Sequence, residues 1–283
     1  EMNKIFGVIG GDRRQAELAQ LLAGDGHAVR TYGLDRWKGI GPDTLDRAAA
    51  ADVVSLPLPL CRGDGVLNCE EGAVPTADLF RRLRPGQRIL AGQVRPRQRE
   101  EAEALGLTVE DYFLREELAV ANAVPTAEGA VQLAMEHLPI TIHGSRVLII
   151  GYGRVGRLTA QRFQALGARV SVAARKYEQL AWAQAMGFGG EHLSNLKGWL
   201  CGYDLIVNTV PVQILGREEL EDVKPDCLIL DLASKPGGVD LGAAGDLGLT
   251  VVWALALPGK VAPVTAGAAI RDTIYNMLRE IGL

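Results

Sequence analysis

Gly151, Gly153 and Gly156 stand at the spacing G-x-G-x-x-G in the hexapeptide Gly-Tyr-Gly-Arg-Val-Gly. Each glycine at that spacing has a distinct use. The first permits a tight turn, the second lets backbone approach an anionic ligand, and the third lets a helix pack closely on a strand. The surroundings decide whether the hexapeptide is more than a turn. Arg146–Ile150 is an apolar run that predicts a strand. Val155, Leu158, Phe163 and Leu166 then repeat at helical spacing, and Arg169–Ala174 predicts a second strand. Strand, glycine turn, helix, strand is the frame in which this spacing holds a dinucleotide, with its pyrophosphate on the helix N-terminus. Gly151, Gly153, Arg154, Val155 and Gly156 are the expected phosphate-side residues.

A site for NAD(H) places a carboxylate roughly 20 residues further on, at the end of the second strand, to hold the ribose 2′-hydroxyl. Here that end reads Ala173-Ala174-Arg175-Lys176. Two cations stand where a 2′-phosphate would lie, and a guanidinium grips phosphate in a two-point fork. The expected cofactor is therefore NADP(H), bound by Arg175 and Lys176.

Ligands of open α/β sheets sit beyond the carboxyl ends of the strands. Three further segments leave such ends. One is Asn208-Thr209-Val210-Pro211; the second runs from Asp231 and Ala233 through Ser234, Lys235, Gly237 and Gly238; the third, residues 257–263, is read as a loop and carries Lys260. Thr209, Val210, Pro211, Asp231 and Ala233 are expected on the cofactor, and Thr126, Gly237 and Gly238 on the substrate. Lys235 and Lys260 are the cations placed to meet an anionic substrate. Arg13 and Arg14 open a helix, where a carboxylate would also be welcome. His143, in a loop between two halves of the chain, is a candidate acid or base near neutral pH. No metal-ligand spacing occurs.

These residues need two sets of elements to position them. Residues 4–9, 28–32, 52–56, 88–91 and 107–109 predict strands, alternating with helices at 77–83 and 97–105. Asp12 and Gln15 make a capping box at the start of the first helix, whose apolar face is Leu18, Leu21 and Leu22. The turn there is only Gly10-Gly11, so this half is expected to form the substrate side. Residues 125–137 predict a connecting helix, with Pro125 in its first turn and small residues along one face. Strands at 204–208, 227–231 and 250–253 continue the second half, and 265–281 is a terminal helix. The expected architecture is α/β: two Rossmann-like, doubly wound parallel-sheet domains with a cleft between them. Residues 1–123 form the first, with helix 268–283 packing back on it, and 124–267 the cofactor domain.

The 283 residues suffice for two domains. A net charge of −4 supplies no basic surplus for nucleic acid. The apolar run at 5–9 is too short for a signal peptide core, and the stretch at 251–257 is far below the ~20 residues that span a bilayer. Glu1 ahead of Met2 reads as an added residue. Cys61, Cys69, Cys201 and Cys227 form no C-x-x-C pair and read as reduced thiols of a cytoplasmic protein.

Several stretches resemble the A subunits of bacterial dipicolinate synthase. They are Gly10-Gly11-Asp12-Arg13-Arg14-Gln15, residues 122–130 (Asn-Ala-Val-Pro-Thr-Ala-Glu-Gly-Ala), Thr141-Ile142-His143-Gly144-Ser145, the fingerprint, Ala174-Arg175-Lys176, residues 231–240 and residues 257–267. The likeness runs over nearly the whole chain in the same order. It departs at Val252-Trp253-Ala254-Leu255-Ala256, where a smaller, glycine-containing run is expected. The resemblance implies formation of dipicolinate, a pyridine dicarboxylate of endospores, in the cytoplasm of the sporulating mother cell. It implies a dihydro- or hydroxytetrahydro-dipicolinate substrate and a partner, the flavoprotein-like B subunit; a homo-oligomer is also expected. Chemically, a ring hydride would pass to NADP and a base would take a ring proton, leaving an aromatic product. Lys235 or Lys260 is the expected socket for one carboxylate and the Arg13-Arg14 helix start for the other. His143, or a water held by Ser234, is the expected base. The alternatives are another two-domain NAD(P)-dependent 2-hydroxy- or 2-amino-acid dehydrogenase, or a cofactor-binding protein that is active only with its partner. No histidine follows His192, which counts against the first of these.

Overall fold

A computed structural model describes residues 4–37, 41–63, 65–70 and 72–283. The chain divides into two compact units. One holds the described residues up to Asn122 together with Ala262–Leu283; the other is Ala123–Val261.

The first unit begins with β1 (Ile5–Ile9), α1 (Arg13–Gly24), β2 (Ala28–Tyr32), α2 (Leu45–Ala49) and β3 (Val53–Ser55). A short antiparallel pair follows, β4 (Cys61–Arg62) and β5 (Val66–Leu67). Then come α3 (Thr76–Phe80), β6 (Arg88–Ala91), α4 (Pro96–Glu103) and β7 (Val109–Asp111). The main sheet has the order β2-β1-β3-β6-β7 and is parallel throughout. Its inner strands β1 and β3 are nearly all apolar because both faces are covered. One face buries Leu79, Phe80 and Ala102 of α3 and α4. The other buries Leu18 and Leu22 of α1 with Ile270, Ile274 and Met277 of the chain's final helix. The expected capping box is present: Asp12 accepts from the Arg14 N–H at 3.0 Å, and the Gln15 side chain accepts from the Asp12 N–H at 3.3 Å.

Helix α5 (Glu116–His137) contains the division between units. It starts nine residues before Pro125, which corrects the expectation that this proline opens a helix. Pro125 lacks the N–H that would reach the Ala121 carbonyl, a local loss. Buried side chains on both sides of it, Leu118, Ala123, Ala127 and Ala130, keep the helix continuous.

The second unit comprises β8 (Arg146–Ile150), α6 (Arg154–Ala165), β9 (Arg169–Ala174), α7 (Tyr177–Ala185), β10 (Gly189–His192), β11 (Leu205–Asn208), α8 (Arg217–Leu220), β12 (Leu228–Asp231), α9 (Leu241–Asp246), β13 (Thr250–Trp253) and α10 (Leu257–Val261). Its sheet is parallel, with the order β10-β9-β8-β11-β12-β13. That is the doubly wound dinucleotide-binding order, whose direction reverses between β8 and β11. Residues 257–261, expected as loop, are helical. Leu257 and Val261 pack so closely on Gly129 of α5 that a Cβ there would meet them at 3.0–3.2 Å. The last element, α11 (Pro263–Glu280), belongs to the first unit. Its Gly267 lets it approach α1, where a Cβ would stand 2.9 Å from the Arg14 carbonyl. Among the described residues no helix is long and apolar enough to cross a membrane.

Candidate dinucleotide site

The glycine turn leaves β8 at the point where strand order reverses. Gly151 has φ +93° and donates its N–H to the Ala173 carbonyl at 2.8 Å, which ties the turn to β9. A side chain at Gly151 would meet Thr209 Oγ1 at 2.5 Å and Val210 at 2.8 Å. At Gly156 a Cβ would run into the carbonyl oxygen of Gly151 itself, so the helix can lie this close to the turn only with glycine there. Gly153 is the N-cap of α6. It has open space where its Cβ would be and supplies no side-chain cap. The first N–H groups of α6 therefore have no side-chain acceptor from the cap residue, and a phosphate suits them as acceptor. The residues present fit a dinucleotide. Arg154 and Val155 form the first turn of α6. Arg157, one turn on, donates to the Tyr152 carbonyl at 3.3 Å and lies over its ring at 5.3 Å.

Across the reversal, Thr209 follows β11. Its N–H and its hydroxyl both donate to the Ile150 carbonyl at 2.9 Å, so it fastens the start of the glycine turn. Asn208 and Asp231 occupy the last positions of β11 and β12, paired in register and almost wholly buried. Asn208 Nδ2 donates to Asp231 Oδ1 at 2.8 Å and to the Val210 carbonyl at 3.0 Å, while its Oδ1 accepts from the Val210 N–H at 3.1 Å. Asp231 Oδ1 also accepts from the Ala233 N–H at 3.1 Å, and its Oδ2 from the Gly238 N–H at 2.7 Å. This corrects the expectation that Asp231 faces the cofactor. Both of its oxygens are spent on the loop that follows it. Asn208, expected only as the start of the segment leaving β11, is its partner. The signal was present in sequence as one polar residue closing each of two apolar strands, Leu-Ile-Val-Asn and Leu-Ile-Leu-Asp.

The loop so held carries Ser234 and Lys235, both exposed, and the buried Gly237 and Gly238. Gly237 has φ +88° and donates to the Ser234 carbonyl at 2.9 Å. Trp253, in the stretch where a smaller, glycine-containing run is expected, donates its indole N–H to the Ala233 carbonyl at 2.9 Å. The large residue thus supports the loop from β13. A Cβ on Gly238 would collide with Asn208. Pro211 is exposed, Val210 is half-buried, and Lys260 is exposed on α10. Thr126 is half-buried in α5. Arg175 and Lys176 follow β9 and are exposed, with Lys176 3.5 Å from Glu178.

Three expected residues lie elsewhere or are otherwise engaged. His143 is at the amino end of β8, the opposite end from Gly151, and its ring lies where a Cβ on Gly167 would be. It is not brought to the glycine turn. Arg14 is buried. Its guanidinium donates to both Asp12 oxygens, at 2.9 and 2.8 Å, and to the Leu58 carbonyl at 2.6 Å, so it fastens the first unit rather than facing a ligand. Burial alone would raise the Asp12 carboxyl, but the hydrogen bonds and charge of Arg14 outweigh it and hold Asp12 below the usual carboxylate value. Arg13 is exposed and pairs with Glu17 at 3.3 Å.

Residues 5–113 match the N-terminal domain of the dipicolinate synthase A subunit, and 117–235 the NAD binding domain of D-isomer specific 2-hydroxyacid dehydrogenases. The second unit is thus a nicotinamide-dinucleotide domain of dehydrogenase type. The chain is 35% identical to the A subunit of dipicolinate synthase from Bacillus subtilis (strain 168), over 97% of its own length and 95% of that protein's. It superposes on the crystal structure of the A subunit of dipicolinate synthase from Bacillus halodurans with a TM-score of 0.90, 30% identity and 98% of each chain covered. For the crystal structure of the corresponding Bacillus subtilis protein the TM-score is 0.88, with 33% identity and 99% and 97% covered. Likeness of this degree over both units, together with a dinucleotide turn built as the dehydrogenase match requires, places the chain in the family of dipicolinate synthase A subunits.

Proposed function

We propose that the protein oxidises a dihydrodipicolinate, or its hydrated hydroxytetrahydro form after loss of water, to dipicolinate with NADP as acceptor. The observation that carries the cofactor reading is the turn itself: an α6 N-terminus with no side-chain cap, and Arg175 and Lys176 at the end of β9 where a carboxylate would select NAD. The substrate class comes from the B. subtilis relative, whose name states its product. A nicotinamide bound there supplies the two-electron acceptor.

The chain's own residues have limited work in such a reaction, because aromatisation of the ring supplies much of the driving force. They must hold the substrate flat and in place and accept one proton. Lys235 and Lys260 are cations of the second unit suited to a substrate carboxylate, and Gly237 and Gly238, on the same loop as Lys235, are further proposed substrate residues. Thr126 is a further proposed substrate residue, and Arg13 is the cation proposed from the first unit. Ser234 would hold the water that takes the ring proton. The partner in this reading is a flavoprotein-like B subunit, and the setting the mother cell of a sporulating bacterium.

The test is a product assay. Purified chain receives freshly generated dihydrodipicolinate with NADP+ or NAD+, with and without the B subunit. Dipicolinate by mass and reduced cofactor by absorbance, in equal amounts from this chain alone, are the expected result. Product only with the partner present would move the chemistry to a shared site, the second reading, which is favoured by the relatives' being named as one part of a synthase. No product in either arm would remove the proposal.

A further inference from the structure

We propose that His192 is a positioning residue that sets the preference for NADP(H) over NAD(H), by fixing the backbone from which Arg175 projects. The inference rests on the NADP reading of the site. His192 ends β10, the strand beside β9, and is in register with Ala174, the residue before Arg175. Its Nε2 lies 2.9 Å from the Arg175 carbonyl. A carbonyl only accepts, so Nε2 carries the proton. On the other side of the ring the Ser194 N–H donates to Nδ1 at 3.3 Å, and the Ser194 hydroxyl is 2.8 Å away. The imidazole is therefore held at both of its nitrogens, by the Arg175 carbonyl on one side and by Ser194 on the other.

The ring has a second hold on the same loop. Tyr177, two residues past Arg175, stacks on it with centroids 5.1 Å apart and planes 23° from parallel, although Tyr177 itself is 76% exposed. The segment 175–177 is thus pinned to β10 at a carbonyl and at a ring, while Arg175 and Lys176 remain exposed. Beneath it, Asn195 donates to Glu191 Oε1 at 2.9 Å and the His192 N–H to the same oxygen at 3.0 Å, which ties the turn after β10 to the strand. A phosphate contact from an exposed arginine is weak when the arginine's backbone wanders, because ordering it costs binding energy. His192 removes part of that cost before the cofactor arrives. A 2′-hydroxyl makes no comparable demand on the loop, so the effect falls on NADP and not on NAD.

The experiment is binding of NADP+ and of NAD+ to the full chain by calorimetry, for wild type, H192A and H192Q. Wild type is expected to prefer NADP+. In H192A the NADP+ affinity should fall about tenfold with NAD+ affinity unchanged, the scale of one lost hydrogen bond. Gln offers an N–H to the Arg175 carbonyl, so H192Q should recover most of the preference. In an R175A background, H192A should have no further effect on the ratio. A wild-type preference that survives in H192A, or an equal loss for both cofactors, would overturn the positioning role and leave the NADP reading standing. Equal or tighter NAD+ binding by wild type would overturn both.

Discussion

Asn208 and Asp231 close neighbouring strands of the second unit with a 2.8 Å hydrogen bond that no solvent reaches. Every oxygen of Asp231 accepts from a donor fixed in place, and two of those donors are backbone N–H groups of the Ala233–Gly238 loop. Asp231→Asn would set an amide N–H against one of them. A buried donor left without an acceptor costs about 1–3 kcal/mol. Urea denaturation should show a loss of about 2 kcal/mol, and NADP+ binding should weaken as the loop loosens. Unchanged stability would mean that the loop is held by other contacts.

Gly156→Ala puts a methyl group into the Gly151 carbonyl. The helix or the turn must move, and over-packing of this kind costs about 1–3 kcal/mol. The Tm should drop, and NADP+ affinity, read by quenching of tryptophan fluorescence, should fall at least tenfold. Gly153→Ala meets nothing within 4 Å. It serves as the control, with stability close to wild type.

Legibility in sequence followed how local each signal is. The glycine fingerprint, its flanking strands and the Asp12 capping box are decided by neighbours within a few residues, and all were readable. Strand β10 was not, because Gly189 and Gly190 have poor strand propensity; they extend only because they add to the edge of β9. Pro125 misled because proline is common in first turns, whereas the burial of Leu118, about two turns earlier in the same helix, is a tertiary fact. Arg14 reads as a cation open to an anionic ligand at a helix start, and nothing local shows the Leu58 carbonyl to which its buried guanidinium donates. The Asn208–Asp231 pair is visible only when β11 and β12 are known to be neighbours.

Arg175→Ala tests the cofactor reading directly. Charge-assisted hydrogen bonds to phosphate are worth about 1.5–3 kcal/mol, so NADP+ binding should weaken roughly tenfold to a hundredfold with NAD+ binding little changed. Equal loss for both cofactors would place Arg175 outside the 2′-phosphate site.

Asp12 gives the first unit an acid-sensitive tie. Its carboxyl sits below the unfolded value because the Arg14 contacts outweigh burial. Its contribution is therefore complete above the unfolded pKa of about 3.9 and is lost as pH falls through the lower folded value. Asp12→Asn keeps a good N-cap but loses the ion pair with a buried guanidinium. It should cost about 2 kcal/mol at pH 7, and the gap to wild type should narrow below pH 4. A gap that persists at pH 2 would contradict this.

Thiol reactivity should separate the cysteines. Burial raises Cys61 to about 11 and Cys227 to about 12, and Cys69 is also buried, whereas Cys201 is exposed. A chromogenic disulfide reagent at pH 8 should modify one thiol per folded chain quickly, and C201S should abolish that phase. Fast reaction of a second thiol would show that one of the buried sites opens readily.

Helix α11 packs against α1 with Gly267 at the closest approach, and Arg115 grips Glu280 near its end through two hydrogen bonds of 2.8 and 2.6 Å. The core of the first unit thus includes Ile270, Ile274 and Met277, which follow the whole dinucleotide unit in the sequence. During synthesis the dinucleotide unit, continuous in the chain, can finish folding first. The first unit, made of segments on either side of it, must wait with Leu18 and Leu22 incompletely covered until the residues beyond the dinucleotide unit have been made. The order of folding therefore runs against the order of synthesis.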